Sequence, residues 1–157
     1  MDVYLLRHGD AGPHWSEHDD QRPLTPEGIT RIKRQAATLR SWGIKVDVLI
    51  SSPYVRARQT ADVIAKAFDV TAIEDARLSA GCILRDVLAL LHEHTASKHI
   101  WLTGHEPDLS TIASGLIRGG QIKMAKGGLA RVHITSLQPA NGELIWHLTP
   151  QTMGADE

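Results

Sequence analysis

The sequence predicts an α/β fold, a three-layer sandwich whose central sheet is mostly parallel and carries an antiparallel C-terminal edge. Three features of the 157-residue chain point there. Short, continuous apolar runs alternate with segments of helical period, as buried parallel strands and their covering helices do. Two of those helical segments open on a capping residue followed by proline. The last stretch turns to residue-by-residue alternation around a turn, the pattern of a hairpin.

In chain order, Val3-Tyr4-Leu5-Leu6 is the first buried strand, cut short by Arg7 and His8, too early for a signal-peptide core. Residues 9 to 24 are polar, without period, and form a loop long enough to expect function of it. Thr25-Pro26 then starts a helix with Ile29, Ile32, Ala36 and Leu39 on one face and a stop at Gly43. Val46 to Ile50 is the second strand. Ser51-Ser52-Pro53 repeats the cap-and-proline signal, predicting a Ser52-capped helix from about Tyr54 to Phe68 with Thr60, Ile64 and Phe68 inward. A weak strand near Val70 to Glu74 precedes a helix from about Cys82 to His94, with Leu84, Val87, Leu88 and Leu91 as its apolar stripe. His99 to Thr103 is the fourth strand. Gly104-His105-Glu106-Pro107 leads to a helix bearing Leu109, Ile112 and Leu116 and ending at Gly119-Gly120. Leu129 to Leu137 and Glu143 to Thr149 alternate around Pro139-Ala140-Asn141-Gly142, the expected hairpin turn.

Composition narrows the functional classes. The length suits a single domain over residues 1–157, and 42% hydrophobic with 22% charged residues is the balance of a chain that folds. Lys and Arg number 17 against 18 Asp and Glu, a net charge of -1, which argues against general nucleic-acid binding. Trp15, Trp42, Trp101 and Trp146 are scattered and make no base-stacking surface. No apolar run reaches a membrane span, so no membrane partner is expected. The single cysteine, Cys82, excludes an intramolecular disulfide and suits a reducing compartment, so the cytoplasm is the expected location. Nothing in the sequence requires a dimer, and a monomer is expected.

Ligands of open α/β sheets gather beyond the carboxyl ends of the strands. This sequence places Arg7, His8 and Gly9 after the first strand, Arg56 in the first turn of the helix after the second, and Gly104 and His105 after the fourth. If those strands are parallel neighbours, two guanidinium groups, two imidazoles and a helix N-terminus converge. Such a volume suits a phosphate, with bidentate arginine donors and free helix N–H groups. A neutral imidazole is also a competent nucleophile, and a protonated one donates to a phosphoryl group in transfer.

Leu6-Arg7-His8-Gly9, Ser51-Ser52-Pro53 leading to Arg56-Ala57-Arg58-Gln59-Thr60-Ala61, and Gly104-His105 together resemble the histidine phosphatase superfamily, the phosphoglycerate-mutase-like enzymes. The short chain, Arg7-His8-Gly9-Asp10 and Asp19-Asp20-Gln21-Arg22-Pro23-Leu24-Thr25 are most similar to the small phosphohistidine phosphatases within it. The resemblance implies a cofactor-independent phosphatase acting on a phosphohistidine-containing protein through a covalent phospho-His8 intermediate. By that resemblance His8 is the nucleophile, Arg7 and Arg56 bind phosphate, and His105 is the second catalytic histidine.

One departure bears on substrate. Many members that cleave phosphate esters carry an acid in the loop after the third strand, whereas this chain reads Arg77-Leu78-Ser79-Ala80-Gly81. An alkoxide needs that proton; an imidazole protonated on its other nitrogen leaves without it. Two alternatives stand beside the phosphohistidine reading: a phosphatase of small phosphomonoesters, and a non-catalytic phosphoprotein-binding module.

Around this quartet, Gly9, Asp10, Asp19, Arg22, Glu106 and Lys126 are candidates for the pocket or its entrance. An Asp19–Arg22 ion pair would fix the loop, Glu106 equally suits the dipole of its helix, and Lys123 and Lys126 would flank the pocket or simply face solvent. Arg58 points about 200° away from Arg56 around the helix, toward solvent or scaffold. His14 and His18 with Asp19 and Asp20 have metal-like spacing but lie in a loop, so no metal or other cofactor is expected. Cys82 lacks a phosphate-binding loop and is expected to pack in the core.

Overall fold

A computed structural model describes residues 1–157. Six strands, β1 (Asp2–Arg7), β2 (Val48–Ser51), β3 (Ala72–Glu74), β4 (His99–Gly104), β5 (Leu129–Leu137) and β6 (Ala140–Leu148), form one sheet in the order β3-β2-β4-β1-β5-β6. The β3-β2-β4-β1 part is parallel, and β5 and β6 continue it antiparallel.

Strand β1 lies in the middle, and its side chains enter two cores in alternation. Val3 and Leu5 pack with α3 (Leu84–His92) and α4 (Asp108–Ile117); Tyr4 and Leu6 pack with α1 (Pro26–Ser41) and α2 (Val55–Phe68). Burial on both faces is why the strand is apolar throughout. Trp101 on β4 is wholly buried, stacks on Tyr4 at 4.9 Å between ring centroids, and donates its indole N–H to the Lys45 carbonyl at 3.0 Å.

Strand register prepares the site. Arg7 pairs with Gly104 and Ser51 with Thr103, so β1, β4 and β2 end level with one another. The next residues, His8, His105 and Ser52, therefore stand side by side, and the ladder runs one step further through His8 N–H to Gly104 O (3.1 Å) and Ser52 N–H to Thr103 O (2.9 Å).

Several boundaries differ from those the sequence suggests. Strand β2 starts at Val48 rather than Val46, because Asp47 turns its carboxylate to the Lys98 and His99 amides. Helix α3 runs from Leu84, not Cys82, to His92, not His94; the Asp86 carboxylate receives the Ile83 amide just ahead of it, and Val87, Leu90 and Leu91 are its buried residues while Leu84 and Leu88 are only partly covered. Ser52 does not cap α2: that helix begins at Val55, preceded by Tyr54, which gives no side-chain cap. The hairpin turn is Gln138-Pro139, not Pro139 to Gly142, and β6 starts at Ala140. Gly142 sits within β6, where an added Cβ would come within 2.9 Å of Val132 Cγ1 and 3.0 Å of the His133 carbonyl. That glycine serves close packing inside a strand rather than a turn.

Candidate active site

Beyond the carboxyl ends of β1, β4 and β2 lies a cleft of about 950 Å³ lined by Arg7, His8, Arg56 and His105 and walled on one side by residues 12 to 22. His8, Arg56 and His105 are almost wholly buried beneath it, and their rings and fork are in direct register: the two imidazole centroids are 5.5 Å apart, and Arg56 Nε–H donates to His8 Nε2 at 3.3 Å.

The tautomer of His8 follows from its neighbours. Its Nδ1 is 2.7 Å from the Gly9 carbonyl, which can only accept, so Nδ1 carries the proton. Nε2 then keeps its lone pair, as the Arg56 donor also requires. Burial drives the ring toward the neutral form, opposed by the Gly9 bond and reinforced by His105, Arg56 and Arg7, and its pKa falls to about 3. The result is an uncharged imidazole with an in-plane electron pair directed at a guanidinium. Gly9 itself is fixed through its N–H to Thr60 Oγ1 (3.0 Å), whose hydroxyl donates back along α2 to the Arg56 carbonyl (2.8 Å).

His105 is held by a 2.7 Å contact between its Nε2 and Ser52 Oγ, and the Tyr54 amide donates to the same hydroxyl at 3.2 Å. Its Nδ1 is buried without a partner. Burial, then Arg56 and Arg7, bring its pKa down to about 4, so His105 is held neutral. The protonated ring considered from sequence therefore needs an anion in the cleft to offset the two guanidinium charges. Arg7 is anchored by Nη1–H to the Met124 carbonyl (2.9 Å), and its Nε has no protein partner.

The second-tier candidates separate. Asp19, Arg22, Glu106 and Lys126 line the cleft; Gly9 and Asp10 do not, and instead border a neighbouring hollow of about 320 Å³ behind the His8 loop. Backbone direction explains this, since Gly9 already turns away toward α1 and Asp10 follows it to pair with Lys126 at 3.1 Å. Asp19 and Arg22 form the expected ion pair at 2.7 Å, which pins the wall. Glu106 turns its carboxylate to the Ser110 amide (2.9 Å) and hydroxyl, as a cap on α4 does. Lys123 lies outside the cleft lining. Arg58 pairs with Asp62 (2.9 Å) and Glu74 (3.6 Å), and His14 Nδ1 lies 3.2 Å from Asp19 Oδ2. Ala80 lines the cleft in the loop after β3. Cys82 is buried in the core with its thiol pKa pushed up to about 12 by that burial.

Sequence reasoning passed over three contributors: Ser52 as the partner of His105, Thr60 as the support of Gly9, and the Met124 carbonyl that holds Arg7. Ser52 was legible as a polar residue at a strand end, but its proximity to proline suggested a cap.

The family model "Histidine phosphatase superfamily (branch 1)" matches residues 3–80. An uncharacterized Picosynechococcus protein is 33% identical over 143 residues, covering 82% of each chain. Phosphohistidine phosphatase SixA of Escherichia coli is 24% identical over 156 residues, covering 96% of this chain and 94% of its own. In fold, the chain is similar to the protein histidine phosphatase SixA solved with tungstate, at a TM-score of 0.87 and 23% identity over 98% of this chain and 99% of that one. The matched segment carries the Arg-His-Gly strand end and the arginine of α2, the fold agrees from end to end, and the chain thus belongs to the histidine phosphatase superfamily, a family of hydrolases.

Proposed function

We propose that the protein is a phosphohistidine phosphatase acting on a phosphorylated protein through a covalent phospho-His8 intermediate. The observation that carries this reading is the state of His8: a neutral ring with Nδ1–H tied to Gly9 and a lone pair on Nε2 inside a cationic cleft. Nε2 attacks phosphorus in line. The new N–P bond forms as the substrate N–P bond breaks, and its electron pair stays on the departing nitrogen. A substrate imidazole protonated on its other nitrogen leaves neutral. Arg7, Arg56 and His105 hold the phosphoryl oxygens, and charge building on those oxygens is met by donors already in place. Water then attacks phospho-His8 and releases phosphate.

Substrate choice rests on the leaving group. Ala80 lines the cleft in the loop where ester-cleaving members of the family carry an acid. Of the carboxylates on the walls, Asp19 is held by arginines, Glu106 by Ser110, and Asp20 is exposed at the rim. General acid catalysis contributes about 10²- to 10⁴-fold to steps that need it, so esters bear the loss and phosphoramidates do not. The similarity to SixA points the same way.

The test is turnover of a phosphohistidine protein, a phosphoserine peptide and a sugar phosphate with chelator present. The phosphohistidine protein is expected to be hydrolysed at least about 100-fold faster than either ester, and His8→Ala to abolish that turnover while leaving the fold intact. Equal turnover of the esters, or activity retained without His8, would overturn the reading.

A further inference from the structure

The wall of the cleft carries an ion network centred on Asp19, a residue that the reaction above does not use. Asp19 Oδ1 accepts from Arg22 Nε at 2.7 Å and from the Trp15 amide at 2.9 Å. Its Oδ2 lies 3.3 Å from Arg56 Nη2, and its backbone carbonyl accepts from Arg56 Nη1 at 2.7 Å. Arg22, itself buried, reaches back through Nη1 to the Ala11 and Gly12 carbonyls at 3.1 and 2.9 Å. One residue thus grips both branches of the Arg56 fork, from its side chain and its main chain, and is in turn fastened to the loop.

We propose that Asp19 is a positioning residue for phosphoryl transfer: it fixes the plane of the Arg56 guanidinium beside His8, where its N–H groups meet the oxygens of the incoming phosphoryl group, and supplies the counter-ion of Arg56. The inference rests on His8 being the nucleophile. A free arginine side chain has about 2 kcal/mol of rotamer entropy to lose, and Arg56 has few other restraints. Apart from its bond to His8, it faces the like-charged Arg22 on this wall, and its Cζ lies 5.1 Å from the centre of the Tyr54 ring. With Asp19 in place, two N–H groups are committed behind the guanidinium, and the Nε–H edge is held at His8, where it passes to a phosphoryl oxygen as Nε2 bonds to phosphorus.

Orientation and charge then act in opposite directions, which separates this role from simple support of the loop. A fixed Arg56 favours the transition state, where geometry is most demanding. The Asp19 charge, in contrast, repels the bound phosphate dianion. Losing the carboxylate slows transfer without weakening phosphate, whereas collapse of the wall would weaken both together.

The experiment compares wild type with Asp19→Asn and Asp19→Glu. It reads the rate of His8 phosphorylation by phosphoramidate, a small P–N donor, in a rapid quench, and inorganic phosphate binding by calorimetry. Both variants are expected to transfer about 10- to 100-fold more slowly, the range a misplaced group costs. Phosphate is expected to bind Asp19→Glu as it binds wild type and Asp19→Asn as tightly or more tightly. Asp19→Glu keeps the charge and displaces it by one methylene, so it decides the matter alone should Asp19→Asn not fold. A wild-type rate in either variant, or phosphate affinity falling in step with rate, overturns the role of Asp19 and leaves the functional reading standing. A wild-type protein that never becomes phosphorylated overturns both.

Discussion

His8 is neutral because of where the chain puts it, beneath a cleft and beside two arginines, and this has a consequence for stability as well as chemistry. In the unfolded chain a histidine titrates near 6.5, whereas the folded values are about 3 for His8 and about 4 for His105. Between those limits the unfolded state takes up protons that the folded rings refuse. Stability is therefore expected to fall as pH drops from about 6.5 toward 4, by up to about 1.4 kcal/mol per pH unit for each ring. Urea denaturation across that range reads the slope, and His8→Asn, which removes one of the two rings, should flatten it. An unchanged slope would mean that His8 is protonated in the folded protein. The identities of these residues were open to sequence reasoning because Arg-His-Gly and Gly-His stand at recognisable strand ends. Their protonation was not, since it depends on burial and on a carbonyl one residue away that no pattern of residue types encodes.

At the level of elements, the start of α1 and the loop before it are fitted to each other through Gly28. Within a helix, glycine costs about 1 kcal/mol relative to alanine, so Gly28→Ala ought to stabilise α1. Yet a Cβ there would stand 2.3 Å from the Asp10 carbonyl oxygen, an atom that also receives the Thr25 amide at 2.9 Å. Backbone cannot move aside as a side-chain end can, so overpacking prevails: Gly28→Ala is expected to lose about 1 to 3 kcal/mol, measured by denaturation, and to weaken phosphate binding by shifting the loop that follows His8. A gain in stability would show that the loop yields freely. The same closeness explains what sequence patterns conveyed and what they did not. Helix α1 was plain from Thr25-Pro26, and its Thr25 side chain does accept from the Gly28 amide at 2.9 Å. Ser52 and Gly142 carried equally good local signals for a cap and a turn, but their positions are governed by His105, distant in the chain, and by Val132 on the neighbouring strand.

For the molecule as a whole, the site exists only when three crossovers have formed. Arg7 and His8 leave the middle of the sheet, Ser52 and Arg56 follow β2, and His105 follows β4, so an oxyanion held among them ties residues nearly a hundred positions apart. The alternation of strands and helices made the parallel sheet legible, and parallel order alone brings these carboxyl ends together; the wall of residues 12 to 22, which lacks any period in sequence, is shaped by tertiary contacts of Asp19, Arg22 and Arg56 together with a short turn at Asp19–Gln21. An unfolded chain has no such cluster, so phosphate is expected to bind the folded state alone and to stabilise it by mass action. At a free phosphate concentration about 100 times Kd the gain is about 2.7 kcal/mol, or roughly 5 to 10 °C in Tm for a chain of this size. Hydrogen exchange should slow together at the amides that follow β1, β2 and β4, not at one of them. Arg56→Ala removes one of the donors and opens the wall, and is expected to abolish most of the shift. If phosphate raised Tm equally in that variant, or protected a single segment, the anion would be binding elsewhere and the three strand ends would not act as one site.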